Sequence, residues 1–193
     1  MKHLFLFVLI SICIHSYGQI TKDNWLLGGT GSLRSLKTSY SSPNLSTTSK
    51  RLDITVSPGV GYFVKDRLAL GLKAGYSKYK EQVDGPGGGY TNTNRYSFGP
   101  FVRYYFLLKE KEYNILTESS YQYGLYSFRP TKGHSYVFTA LAGPVIYFNS
   151  SVGLEFLIGY YNTKETIRIN DNDFVTRQKG IQVSIGFQFH LEK

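Results

Sequence analysis

Five ionisable residues lie in stretches that are otherwise apolar or small: Asp53, Lys73, Arg103, Glu118 and Glu155. Carboxylates and cations gathered in a confined space can work as acid and base, pass protons or ions, or pin a structure together. Three further stretches carry residue types suited to chemistry. GHSYVF sets His134 beside Ser135, a base and a nucleophile by type, but adjacent side chains on a strand diverge to opposite faces. DGPGGGY at Asp84–Tyr90 has the glycines of a phosphate-binding loop without the Lys and Ser/Thr that complete one. INDNDF has the oxygen ligands Asn170, Asp171, Asn172 and Asp173 but neither the glycine nor the closing glutamate of a calcium loop. These stretches read as outer surface, and no catalytic, metal or cofactor site is expected.

The elements that must position the five charges begin after a leader. MKHLFLFVLISICIHSYG has a basic start at Lys2, an apolar run from Leu4 to Ile14 and small residues at Ser16 and Gly18. It reads as a secretory signal peptide over residues 1–18, cut before Gln19 and too short to span as a helix. The only cysteine, Cys13, would leave with it, so no disulfide or thiolate site is expected in the segment 19–193. That segment has the length of one domain, and it is rich in Tyr, Phe and Gly, as strands with close backbone approaches are. The formal charge of +9 suits contact with phosphate-bearing surfaces.

Eight segments alternate with a period of two, near 24–34, 51–64, 68–79, 95–107, 113–128, 135–148, 152–161 and 176–189. Connections at 65–67, 108–112 and 149–151 are short, whereas 35–50, 80–94, 129–134 and 162–175 read as long polar loops. In the last segment Ile181, Val183, Ile185, Phe187 and Phe189 share one face, opposite Gly180, Gln182, Ser184, Gly186 and Gln188. A soluble sandwich or lipocalin-like sheet would bury the first set and expose a face richer in Lys and Glu than this one. The alternation predicts an all-β fold, an eight-stranded antiparallel up-and-down transmembrane β-barrel with apolar residues toward lipid and small ones toward a narrow lumen. Two aromatic belts fit the two membrane interfaces: Trp25, Tyr62, Phe106, Tyr113, Tyr147, Phe187 and Phe189 at the short-turn end, and Tyr76, Tyr96, Tyr123, Tyr136 and Tyr160 at the other. The segment 135–148 is apolar on both faces, so its inward and outward sides stay open.

With this orientation the five charges point inward, and a turn at 109–112 sets Arg103 opposite Glu118. A paired interior network with Lys73 and Glu155 nearby is expected to plug the barrel, against the alternatives of an ion path or a catalytic carboxylate pair. The histidines of the segment are His134, in an outer loop, and His190, beyond the last strand. Arg34, Lys37, Lys50, Arg51, Lys78, Lys80, Arg95, Arg129, Lys132, Lys164, Arg168, Arg177 and Lys179 read as a basic outer rim, with lipopolysaccharide phosphates and outer-membrane lipids as partners.

GYFVKDRLALGLKAGY at 61–76, SFGPFVRYYF at 97–106 and GIQVSIGFQF at 180–189 resemble the outer-membrane β-barrel domain family of the OmpA/OmpX kind. The resemblance implies an outer-membrane location and a terminal assembly signal, here Phe187 and Phe189, read by the barrel assembly machinery. No peptidoglycan-binding domain is expected after the barrel, so the cell-wall anchoring role of two-domain relatives does not carry over. The expected role is structural or surface interaction by a monomer with periplasmic termini. A narrow pore or small-molecule transporter is the alternative, and a lipid-modifying enzyme a more distant one.

Overall fold

The computed structural model describes residues 20–42, 45–84, 89–108, 112–128, 131–169 and 172–192. Every regular element among them is a strand: β1 (Trp25–Ser42), β2 (Leu45–Lys65), β3 (Leu68–Asp84), β4 (Tyr90–Tyr105), β5 (Tyr113–Phe128), β6 (Thr131–Tyr147), β7 (Val152–Ile169) and β8 (Asn172–Leu191). Each pairs antiparallel with the next, and β8 returns to β1, so the sheet closes into an eight-stranded barrel with no edge along the span of the β1–β8 seam. The leader read at 1–18, with Cys13, lies outside the described residues.

The strands run further than their polarity suggests. β1 and β2 stay paired to Ser42 and Leu45, β5 and β6 to Phe128 and Thr131, and β7 and β8 to Ile169 and Asn172. Most of the segments expected as long loops, at 35–50, 80–94, 129–134 and 162–175, are therefore paired ribbon. Composition misleads here because a ribbon beyond the apolar zone needs only its backbone ladder, which Ser, Thr and Asn support as readily as Val. The β1–β8 seam stops earlier, at Leu33 and Val183. Just above it, Arg34 Nε donates to Gln182 Oε1 at 2.8 Å and joins the two strands from inside.

At the other end the turns are tight. Lys65 pairs with Leu68, leaving Asp66 and Arg67 as the corner, with Arg67 at φ 65°. Asn149 Oδ1 accepts the backbone N–H groups of Ser151 and Val152, both at 2.8 Å, and so makes the turn between β6 and β7.

Alternation puts large apolar residues outside and small or charged ones inside. The open question at β6 has a definite answer: Ser135, Val137, Thr139, Leu141 and Val145 are buried in the lumen, and Phe138, Ala142, Pro144 and Ile146 face out. Tyr147, expected in the short-turn belt, instead turns inward against the core, because it shares the parity of Val145. His190, expected beyond the last strand, is part of β8 and buried, because it continues the inward series after Gln188. The short-turn end of the lumen is filled by an apolar floor that includes Ile20, Leu26, Phe63, Ala69, Tyr105, Leu116 and Val145.

Pro58, Pro100 and Pro144 each face outward at a gap in one ladder, where no proline N–H is available to the partner strand. Beside two of them, glycine lets the partner carbonyl come in close. A Cβ on Gly99 would lie 2.1 Å from the Tyr121 oxygen, and one on Gly143 1.9 Å from the Phe156 oxygen. Gly99→Ala and Gly143→Ala must therefore shift backbone, and each is expected to lower stability by about 1–3 kcal/mol. Gly31→Ala, whose Cβ would meet nothing nearer than 3.9 Å, is expected to stay within about 0.5 kcal/mol of the parent chain. Urea unfolding followed by fluorescence of Trp25 checks the order, and equal midpoints for all three variants would contradict it.

Candidate functional site in the lumen

The inward charges form two tiers rather than one. In the lower tier Arg103 on β4 lies between two carboxylates from different strands. Its Nε and Nη2 donate to Glu118 Oε2 on β5 at 3.0 and 2.5 Å, and its Nη1 donates to Glu155 Oε2 on β7 at 2.8 Å. Nη1 also donates to Gln188 Oε1 on β8 at 2.9 Å, an acceptor shared with the Tyr105 hydroxyl at 2.6 Å. Lys73 on β3 donates to the other oxygen of Glu118. Two cations thus meet two carboxylates, and all four side chains are nearly sealed from water. The Arg103–Glu118 pair is a direct cross-strand pair of the β4–β5 ladder.

Asp53 does not join this group. It belongs to an upper tier with Arg51, whose Nε donates to Asp53 Oδ1 at 2.7 Å and whose Nη2 reaches Glu165 Oε1 at 3.5 Å. Arg95 donates to the same Glu165 oxygen, and Arg34 lies over the Tyr161 ring at 4.5 Å. Arg34, Arg51 and Arg95 were expected on the basic outer rim, yet they are 5%, 6% and 2% exposed. The correction follows from parity: Arg51 is two residues from the inward Asp53, and Arg34 pairs with Asp53 across the β1–β2 ladder. Glu165 is not among the five inward charges expected from sequence, because the segment 162–175 has the composition of a polar loop. The same parity from Tyr161 and Thr163 would have found it.

Between the tiers runs a belt of cross-strand hydroxyl bonds. Thr55 meets Ser77 at 2.8 Å, Ser120 meets Thr139 at 2.7 Å, and Ser97 donates to Gln122 at 2.6 Å. The space they enclose is only about 30 Å³, room for about one water molecule and no solute. The arrangement can hold strands together and exclude bulk water. Among the described residues no group of three or more His, Cys, Asp or Glu could hold a metal ion.

The remaining residues singled out from sequence are dispersed. Ser135 is buried inside, whereas His134 stacks on Tyr123 on the outer face with ring centroids 6.2 Å apart, so the two cannot act together. Phe187 and Phe189 project outward near the short-turn end. Asp173, near the β7–β8 tip, takes two hydrogen bonds from Arg168 at 2.7 and 3.1 Å, which hold its carboxyl below the ordinary range. This pair is exposed and contributes little to stability. Asn170, Asp171, residues 85–88, 109–111 and Arg129 lie outside the described residues, as do the side chains of Lys37, Lys50, Lys132 and Asn172.

No family model matches the chain, and no curated protein matches it. Among solved structures, the outer membrane protein OprG from Pseudomonas aeruginosa is similar with a TM-score of 0.65 at 14% identity, over 91% of this chain and 99% of that one. Neisserial surface protein A is similar with a TM-score of 0.48 at 17% identity, over 86% of this chain and 96% of that one. At such identities the likeness is one of fold: the chain is a closed eight-stranded antiparallel barrel of the architecture found in outer-membrane barrels.

Glu118 neutralises two cations at once, so Glu118→Gln leaves Lys73 and Arg103 sharing Glu155 in a sealed interior. A loss of about 3–5 kcal/mol is expected, as for breaking other buried pairs. Lys73→Met combined with Glu118→Leu restores charge balance and should recover most of it. Urea midpoints of the refolded barrel measure both, and a double variant no more stable than Glu118→Gln would refute the charge-balance account.

Proposed function

We propose that the chain spans an outer membrane as a closed, non-conducting barrel whose work is done by its outer surface, stabilising the outer leaflet or presenting its ribbons to partners. The observation that carries this reading is an inversion of the usual protein. Ile54, Leu72, Phe98, Ile158 and Val183 are exposed, while Lys73, Arg103, Glu118 and Glu155 of the same sheet are buried. An apolar band encircling a closed sheet is far larger than the patches water-soluble monomers expose, and it suits a hydrocarbon solvent. On β8 the outward apolar series from Ile181 to Phe189 has the nine residues that a tilted strand needs to cross the core of a bilayer.

In this reading the short turns and the termini face the periplasm, the ribbons face outward, and Phe187 and Phe189 serve as the terminal signal for barrel assembly. The narrow-pore alternative runs against two barriers in series, the ion-pair tiers and the apolar floor around Phe63 and Leu116. No reaction is assigned to the chain.

Two measurements test the proposal. Electrophoresis of isolated outer membranes should give a band that migrates differently before and after boiling. A chain found only in soluble fractions, indifferent to boiling, would overturn the membrane reading. In planar bilayers the reconstituted barrel should be silent, and Arg103→Ala should be silent too, since the floor remains. Discrete openings of the parent barrel that Arg103→Ala or Glu118→Gln abolishes would establish a path through the tiers instead.

A further inference from the structure

We propose that the outer face of β5–β8, at the ribbon end, binds the phosphorylated sugar headgroup of an outer-leaflet glycolipid. The site rests on the membrane reading above and gives it a specific partner chemistry. Two rows of outward side chains cross these four strands. Register makes neighbours of Tyr123, Tyr136, Lys164 and Arg177 in one row, and of Tyr121, Phe138, Asn162 and Lys179 in the row nearer the short turns. Each row is aromatic on its β5–β6 half and polar or cationic on its β7–β8 half.

The aromatic half is a continuous shelf. Tyr121 stacks on Tyr136 with centroids 6.0 Å apart, and Tyr123 meets Tyr136 edge-on at 5.5 Å. Such rings offer flat electron-rich faces to the C–H faces of a sugar. The cationic half carries a cost that no acid among the described residues offsets. Lys164 and Arg177 are directly opposite on neighbouring strands, an arrangement that destabilises a ladder. Among the described residues, no ion pair includes Lys164, Arg177 or Lys179, whereas Arg168 nearer the tip has Asp173. An anion between the strands would turn the repulsion into attraction, and a phosphate fits both a guanidinium and an ammonium.

The hollow between the halves is lined by Tyr121, Tyr136, Phe138, Asn162, Lys164 and Arg177 and measures about 350 Å³, the low end of small-molecule sites at about 300–1,000 Å³. Toward the short turns the outward residues shrink, with Ala140 and Ala142 flanked by Tyr160 and Ile158. Acyl chains would lie over this stretch, against the exposed Tyr160 and Ile158, while their headgroup rests on the shelf. A glycerophospholipid would bring one phosphate and no ring to stack. A phosphorylated sugar lipid uses both halves.

The test uses the refolded full barrel in nanodiscs of neutral phosphatidylcholine doped with bis-phosphorylated lipid A, and reads the lipid retained per barrel by native mass spectrometry. The parent barrel should retain lipid A at least tenfold better than dephosphorylated lipid A or phosphatidylglycerol at equal mole fraction. Lys164→Gln with Arg177→Gln should lower retention at least tenfold, and Lys65→Gln, at an exposed cation of the short-turn end, should leave it unchanged. Equal retention by the double variant, or equal competition by phosphatidylglycerol, overturns the site. A barrel that inserts and shifts on unboiled gels yet keeps no lipid A also overturns the site, and the site alone. A chain that never inserts overturns the membrane reading, and the site falls with it.

Discussion

The Arg103 charge sets the terms for the interior. A guanidinium removed from water is costly unless its donors are met and its charge is balanced. Arg103 is met by groups from three other strands, Glu118 on β5, Glu155 on β7 and Gln188 on β8, while Lys73 brings β3 to the same carboxylate. The upper tier adds β1 and β2 through Arg34, Arg51 and Asp53. Every strand but β6 therefore gives an inward polar side chain to one tier or the other. β6 gives Val137, Leu141 and Val145 instead, which is why that strand is apolar on both faces. The ambiguity of its sequence is the mark of its place in the lumen: beside so many ion pairs, some wall must be apolar packing.

Much of this was legible from alternation alone. Period two located all eight strands, their order and the short turns, and the hairpin register placed Arg103 opposite Glu118. The sequence reading failed where composition was allowed to end a strand. Polar ribbons have the composition of loops, so composition hides the parity that continues past Tyr161 to Glu165. Composition alone puts Arg34, Arg51 and Arg95 on a basic outer rim, because basic residues near that end outnumber the acids. Parity already opposed that for Arg51, and it was the better guide. The apolar floor was missed for another reason. Phe63 and Tyr105 fall on a face dominated by Gly, Ser and Gln, and only closure of the ring brings them together under Arg103.

The two ends of the lumen are closed by different physics. At the short-turn end the backbone before β1 folds under the barrel: the N–H of Arg67 donates to the Ile20 carbonyl at 2.8 Å, that of Asp23 to the Phe63 carbonyl and that of Phe63 to the Asn24 carbonyl, both at 2.9 Å. Most side chains there are hydrocarbon and need only volume, and the one hydroxyl among the floor residues named, that of Tyr105, is met by Gln188. Further up, closure depends on pairing, and each pair must be complete to be tolerable. A floor of packed side chains survives the loss of one ion pair, whereas the tiers do not. The charges then matter more to the alignment of the strands than to the seal itself.

The same logic separates the inner and outer faces of β7 and β8. Inside, Glu165 answers the cations that face it, Arg51 and Arg95. Outside, one residue away along the strand, Lys164 faces Arg177 with no acid in either row. Both charges stand on one ladder, and this pair has no acid beside it of the kind that meets Lys73, Arg103, Arg51 and Arg95 inside. A random surface would scatter such a fault, but here it lies beside the stacked rings of Tyr121 and Tyr136. Repulsion between strands, a flat aromatic face and the exposed Tyr160 and Ile158 below are three costs to a protein in water. They become three contacts when an anionic sugar lipid lies across them.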